Sequence, residues 1–172
     1  MKILGYFLDS DGECTAHVDN MVAKMKKKIW AIQRLKQYGF DKEQLISVYT
    51  TYIRPIAEYV SVVWHASLNA DQAALLERQQ ARALSHIFGF GLSARKMLEK
   101  SGLESLASRR DRACLVFATK CTRSDREWFP KRPPPIYARR ALNYNEFQER
   151  RARTDRHRNS GLNAMRRILN RN

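Results

Sequence analysis

A mainly α-helical bundle, opened by one short β-strand and closed by a basic, proline-containing, partly disordered tail, is the fold class this sequence predicts. Three observations predict it. Apolar residues recur at three- and four-residue spacing over residues 17–38 and 45–89, the period of a helix with one buried face. Helix punctuation brackets those stretches: Asp41 and Gln44 have capping-box spacing, Asn69 can cap a further helix, and Gly39 and Gly89 end the runs. The length of 172 residues supports one real core with an appendage, not two domains. The expected division is a strand and turn over 1–12, a helical bundle over 13–122 and a basic linker or tail over 123–172.

Residues 2–8, KILGYFL, form a β-prone run broken by the turn material Asp9-Ser10-Asp11-Gly12. A single strand cannot stand alone, because its backbone amides need a partner. Residues 17–38 follow as a helix with Val18, Met21, Val22, Met25, Ile29 and Ile32 on its buried face. Lys24, Lys26, Lys27, Lys28, Arg34 and Lys36 crowd the rest of it, with no acid after Asp19. Such a face either tracks the phosphates of a nucleic acid or is simply solvated.

The stretch 45–89 reads as a helical hairpin. Its first half places Leu45, Tyr49, Tyr52, Ile53, Ile56 and Val60 inward. Pro55, which lacks an amide donor, should kink or restart the helix. Residues 59–64 make an apolar knot ending in Trp64 that is expected to plug the core. The second half carries Leu76, Ala83, Leu84, Ile87 and Phe88 inward and Arg78 and Arg82 outward. A short helix over 93–100 anchors through Met97 and Leu98, and a longer one over 103–122 buries Leu106, Ala113, Val116, Phe117 and Cys114. Arg109, Arg110 and Arg112 arrive together on it, either for phosphate or to pair with Glu77, Glu99 or Glu104.

From Arg123 onward the composition changes. Fourteen Lys and Arg residues face five acids there, so this tail carries +9 of the formal net charge of +15. Pro130 and Pro133-Pro134-Pro135 favour extended geometry and suit a linker. Residues 144–153 suggest a transient helix and 162–169 another, with Leu162, Met165 and Leu169 too few for a core of their own. Trp128, Phe129, Tyr137 and Phe147 interleave with arginines and either stack on single-stranded bases or pin the tail to the bundle. The charge predicts affinity for polyanions, nucleic acid before anionic membrane. Cys14, Cys114 and Cys121 are odd in number and lack metal-site spacing, so reduced, buried thiols are expected. The apolar start is too short for a signal peptide and no stretch is long enough to span a membrane, which predicts an intracellular protein, nuclear or cytoplasmic.

Several strings in one order carry a resemblance: Tyr52-Ile53-Arg54-Pro55, Glu58-Tyr59, Val63-Trp64-His65, Leu76-Glu77 with Gln80, and Ile87-Phe88-Gly89. Leu103-Glu104-Ser105-Leu106 with Arg109-Arg110, then Arg153-Thr154-Asp155-Arg156 with Asn159-Ser160 and Leu169-Asn170, extend it over nearly the whole chain. Together they resemble the thumb and following connector of LINE-type (non-LTR retrotransposon) reverse transcriptases, without the fingers and the catalytic palm. The resemblance implies a thumb-like bundle that grips RNA, DNA or an RNA–DNA hybrid through backbone phosphates, with little sequence reading. The residues that would do so are Lys24, Lys26, Lys27, Lys28, Arg34, Arg78, Arg82, Arg109 and Arg110. It also implies that residues 1–12 are a remnant of the last palm strand, with Leu4-Gly5 matching the primer grip.

The chemistry of a polymerase is expected to be missing. The family's RNA-directed DNA polymerase activity needs carboxylates that hold two metal ions, and in the family these lie upstream of where this chain begins. Asp9 and Asp11 read as turn residues, and Cys14 with His17 has no second pair at zinc-site distance. His65 and His86 lie on apolar helix faces as hydrogen-bonded core or boundary histidines, and no glycine loop opens a helix to cradle phosphate. The expectation is a non-catalytic fragment with no cofactor, metal or small-molecule substrate. Two alternatives stay open: a structural or protein-interaction remnant with no specific nucleic-acid role, and a piece of an active polymerase whose other parts are encoded upstream.

Overall fold

The computed structural model describes residues 1–3, 5–7, 14–123, 129, 131–133, 146–154, 158 and 160–171, and they are mainly helical. Leu4, Asp9, Asp11, Trp128, Tyr137 and the prolines at 130, 134 and 135 lie outside the described residues. The chain divides into two compact units, one of Met1–Ser61 with Leu68–Arg110 and one of Val62–Ser67 with Asp111–Asn172. This division differs from cuts after residues 12 and 122.

In the first unit the expected lone strand is two short ones. Lys2–Ile3 (β1) pairs antiparallel with Tyr6–Phe7 (β2), so the segment satisfies its own amides by folding back at Gly5, whose φ is +87°. Helix α1, Thr15–Gln37, buries the six aliphatic and methionine positions expected of it, together with Cys14 just before it and His17. Its end is a Schellman motif: Phe40 N donates to Leu35 O at 3.2 Å, Gly39 N donates to Lys36 O at 3.1 Å, and Gly39 takes φ +88°. The capping box at α2, Lys42–Val48, forms as its spacing predicts, with Gln44 N donating to Asp41 Oδ1 at 2.7 Å and Asp41 N to Gln44 Oε1 at 3.0 Å.

Pro55 does restart the helix, and the way it does so corrects the expected face. A π-helical turn, Tyr49–Ile53, joins α2 to α3, Arg54–Glu58, where the proline occupies the first turn and its missing donor costs nothing. Leu45, Tyr49, Ile53 and Ala57 are buried, a strict four-residue spacing, while Tyr52 is 62% exposed. At 3.6 residues per turn a four-residue step overshoots by about 40° each time. A wider π turn absorbs that drift and keeps the four on one side, which turns Tyr52 outward. The apolar knot, which ends in the single turn α4, Ser61–Trp64, is likewise looser than expected: Trp64 is buried, but Tyr59 and Val63 are about half exposed. Val60, just after α3, takes φ +52°, a strained position for a β-branched residue.

Helix α5, Ala70–Phe88, starts at an Asn69–Gln72 capping box, packs against α1 and stops at Gly89 (φ +97°). Helix α6, Ala94–Ser101, is capped by Ser93, buries Met97 and ends at left-handed Gly102. Helix α7, Leu106–Arg123, begins on the carboxylate of Glu77, which accepts from Ala107 N at 2.7 Å and Leu106 N at 3.3 Å. A carboxylate there answers two orphan amides and the positive end of the helix dipole. Tyr49 Oη donates to Gln80 Oε1 at 2.9 Å, and Gln80 Nε2 donates to Glu104 O at 2.9 Å. Burial holds the Tyr49 phenol far above its usual titration range.

In the second unit, where Leu162, Met165 and Leu169 were too few to predict a core, Cys114, Ala118, Cys121, Phe129, Phe147 and Met165 form a small one. Its α7 positions are out of phase with the expectation, since Val116 is 48% exposed and Ala113 is exposed, while Cys114, Ala118 and Cys121 face in. The region expected as a helix over 144–153 is not helical where described; Phe147 instead bridges to Lys131 in antiparallel fashion and Arg132 N donates to Glu146 O. Helix α8, Gly161–Arg171, fulfils the expectation for 162–169 and holds this extended segment through two asparagines. Asn170 accepts from Phe147 N at 2.9 Å and donates to Phe147 O at 3.1 Å. Asn163 does the same at Arg150, at 3.1 Å and 3.4 Å. Nearby, His65 Nε2 meets Asp111 Oδ1 at 2.9 Å. All three cysteines are buried and free.

Candidate nucleic-acid interface

Helix α1 supplies the cations. Lys24, Lys26, Lys27, Lys28 and Arg34 are all exposed on it, opposite or beside the buried stripe. They do not form one face. At about 100° per residue, Lys24, Lys27, Lys28 and Arg34 share an arc of about 120°, whereas Lys26 falls on the other flank of the stripe. Within the arc the side chains are unequally committed. Lys28 Nζ donates to Tyr52 O at 3.0 Å, and Arg34 lies over the Trp30 ring at 4.8 Å and donates to Gln37 at 3.4 Å. Lys24, Lys26 and Lys27 make no ion pair among the described residues. Lys36, crowded on the same helix, instead holds the last carbonyls of α5, donating to His86 O at 2.8 Å and Ile87 O at 3.1 Å.

Between α1, the π turn and the N-terminal hairpin lies a cavity of about 330 Å³. Lys24 and Lys28 line it from α1, and Tyr52 and Tyr59 line it from the segment 49–59. Gly5 lines it as well, and a Cβ there would stand 3.4 Å from the Tyr59 ring. Of the expected Leu4-Gly5 pair, Gly5 is therefore beside two of the candidate lysines, while Leu4 is outside the described residues. His17 is buried against Tyr6, with ring centroids 4.7 Å apart in an edge-on arrangement.

Arg78 and Arg82 are exposed on the outer face of α5, as expected. Arg82 stands near Lys36 about His86, whose imidazole is pushed below its ordinary range by burial and by those two positive charges. Gln33 donates to that ring at 3.0 Å and Phe90 meets it edge-on at 5.5 Å.

Arg109 and Arg110 depart from the expected phosphate contact. Arg109 forms a two-pronged pair with Glu58, through Nε to Oε1 and Nη2 to Oε2 at 3.2 Å, and this bond raises its pKa. Arg54 reaches the same carboxylate at 3.6 Å. Arg110 is 0% exposed, because it occupies the helical position one turn after buried Leu106. Arg110 is thus closed to a phosphate, whereas Arg109 is partly exposed with its guanidinium already engaged by Glu58. The partner of Arg109 is Glu58, not Glu77, Glu99 or Glu104. Sequence spacing carried no signal for that pair, which is separated by 51 residues.

Among the described residues no three His, Cys, Asp or Glu side chains come together as metal ligands, and no helix is long and apolar enough to cross a membrane. No protein-family model, curated protein or solved structure matches this chain.

Proposed function

We propose that this chain holds nucleic acid by its phosphates and does no chemistry on it, in the manner of the thumb and connector of a LINE-type reverse transcriptase. The observation that carries the reading is the α1 arc of Lys24, Lys27, Lys28 and Arg34, exposed on a helix whose last acid is Asp19. A net charge of +15 gives the same preference at long range. Contacts of this kind neutralise phosphates and release counterions, so they bind RNA, DNA or a hybrid with little regard to sequence. Polymerase chemistry belongs, in this reading, to other parts of the parent family.

Salt dependence tests it. Binding to a mixed-sequence DNA duplex should weaken linearly in log–log form as salt rises, with a slope of about −0.9 per phosphate neutralised. Replacing Lys24, Lys27 and Arg34 with glutamine should flatten that slope by about 0.9 for each phosphate no longer neutralised, with the melting temperature unchanged. An unchanged slope would make the arc a solvated helix face and end the reading. The rival, a protein-interaction remnant, draws on the exposed aromatic residues Tyr38 (80%) and Phe90 (81%).

A further inference from the structure

We infer that the cavity between α1 and the π turn takes a single unpaired nucleobase of a nucleic-acid strand, with the neighbouring phosphates on the α1 lysines. The inference rests on the phosphate-binding reading and narrows it from any backbone to a strand with an accessible base.

Chemistry, size and placement all favour that occupant. The cavity, at about 330 Å³, lies near the lower end of small-ligand sites, which suits one flat ring and not a folded peptide segment. Tyr52, a residue 62% exposed, and Tyr59, 54% exposed, both line it. A tyrosine open to solvent to that extent offers the π-face on which a base stacks, whatever its sequence. Lys24 and Lys28, one helical turn apart, line the same space. The Lys28 ammonium is held at the Tyr52 carbonyl through one of its three protons, which fixes the charge beside the aromatic rim and leaves donors for a phosphate. Asn20 and Thr51 contribute polar side chains to the lining, of the kind that can meet the edges of a ring. Gly5 lets the Tyr59 ring close over the hairpin, at a φ of +87° that another residue would hold only under strain.

A strand fits better than a free nucleotide. The cationic arc includes Lys27 and runs past the cavity to Arg34, about 15 Å from Lys24 along α1, so phosphates flanking the bound base also meet counter-charges. A fully paired duplex fits worse, because each of its bases is stacked on both faces and none can reach the tyrosines without being unstacked.

Fluorescence anisotropy on the full chain tests this with three probes: a short labelled oligothymidylate, the same phosphate backbone carrying abasic sites, and a blunt duplex. The parent should bind oligothymidylate about tenfold more tightly than the abasic strand. Tyr52→Ala should erase that difference while leaving duplex affinity within about twofold, and Tyr52→Phe, which keeps the ring, should restore it. Equal parental affinity for the two strands, with all probes bound, overturns the base site and leaves phosphate binding standing. A parent that binds none of the probes overturns both. A Tyr52→Ala loss shared equally by all three probes also overturns the base site, since stacking cannot act on an abasic strand.

Discussion

The two units of this chain are stabilised by different means. In the first, long amphipathic helices bring Ile29, Ile32, Leu45, Leu76, Leu84 and Ile87 together as an aliphatic core, and buried polar groups such as Gln80 bridge its elements. In the second, the described core is two cysteines, an alanine, two phenylalanines and a methionine, and much of the organisation comes from side-chain amides clasping backbone. Asn163 and Asn170 are seven residues apart, two helical turns, so they stand on one side of α8 and grip Arg150 and Phe147 as neighbouring strand residues would. An aliphatic core is non-directional and tolerates conservative exchange. An amide clasp is directional: losing it leaves backbone donors and acceptors without partners.

The largest effects should come from the buried side chains, one in each unit. Leu84→Ala should cost about 2–5 kcal/mol and Trp64→Ala about 3–5 kcal/mol in urea denaturation, both residues being fully buried. Costs of that size rival the whole stability of a small domain. A Trp64→Ala protein that unfolds at the parent's urea midpoint would show that the aromatic adds nothing and that its unit is held without it. Next, Asn170→Ala should cost about 1–3 kcal/mol, because it strands the Phe147 amide and carbonyl. Hydrogen exchange should then quicken at Phe147 and along α8 while α1 and α5 keep their protection. Equal quickening in both regions would mean that the two are not separate in energy.

These contrasts also explain what the sequence made legible. The caps at Asp41 and Asn69 and the stops at Gly39 and Gly89 could be read because each is a local device within a few residues of its helix. The α1 stripe could be read because its helix is regular. Tyr52 could not be placed, since a π turn shifts the phase and nothing in the periodicity announces one. Arg110 was hidden by its charge, although its spacing from Leu106 is that of a buried residue. The second unit was hidden for a deeper reason. Phe129 and Phe147 lie on non-periodic segments, and an asparagine clasp has no hydrophobic pattern at all. Of the candidate interface, the lysines were legible as an unbalanced cationic helix, whereas the cavity depends on Gly5, Tyr52 and Lys24 meeting across the fold.

The second unit's core also decides how binding is best probed. Truncation at residue 122 would separate Cys114, Ala118 and Cys121 from Phe129, Phe147 and Met165, which pack with them. Charge substitution on α1 avoids that damage and is the better probe of binding. A smaller effect belongs to the first unit's polar bridge. Tyr49→Phe keeps the buried ring and removes only the hydroxyl donated to Gln80, so it should cost about 1 kcal/mol by urea denaturation. A cost near zero would mean that Gln80 finds another donor and that the bridge is not part of what sets this unit apart.

The smallest expected effect sharpens the comparison through two histidines. His86, in the first unit, stands among cations: Lys36 from α1 and Arg82 from its own helix, with Gln33 donating to the ring and Phe90 against its edge. His65, in the second, stands 2.9 Å from the Asp111 carboxylate, where a proton on the ring makes an ion pair. Burial first, then the two positive charges, lowers the His86 pKa in the folded protein below its ordinary value of 6.5. The unfolded chain then binds more protons than the folded one between those two values, so stability rises with pH across that window. The His86 contribution is complete above about pH 6.5 and is lost as the pH falls below it. His86→Gln should therefore lose less stability than the parent between about pH 7.5 and pH 5, measured as the change in urea midpoint at each pH. Because the site is partly exposed, the difference should be well under that of Leu84→Ala. An identical acid loss in parent and variant would show that neither burial nor the neighbouring charges set the folded His86 ring apart from the unfolded one, and the acid sensitivity of the chain would then belong to its other titratable groups.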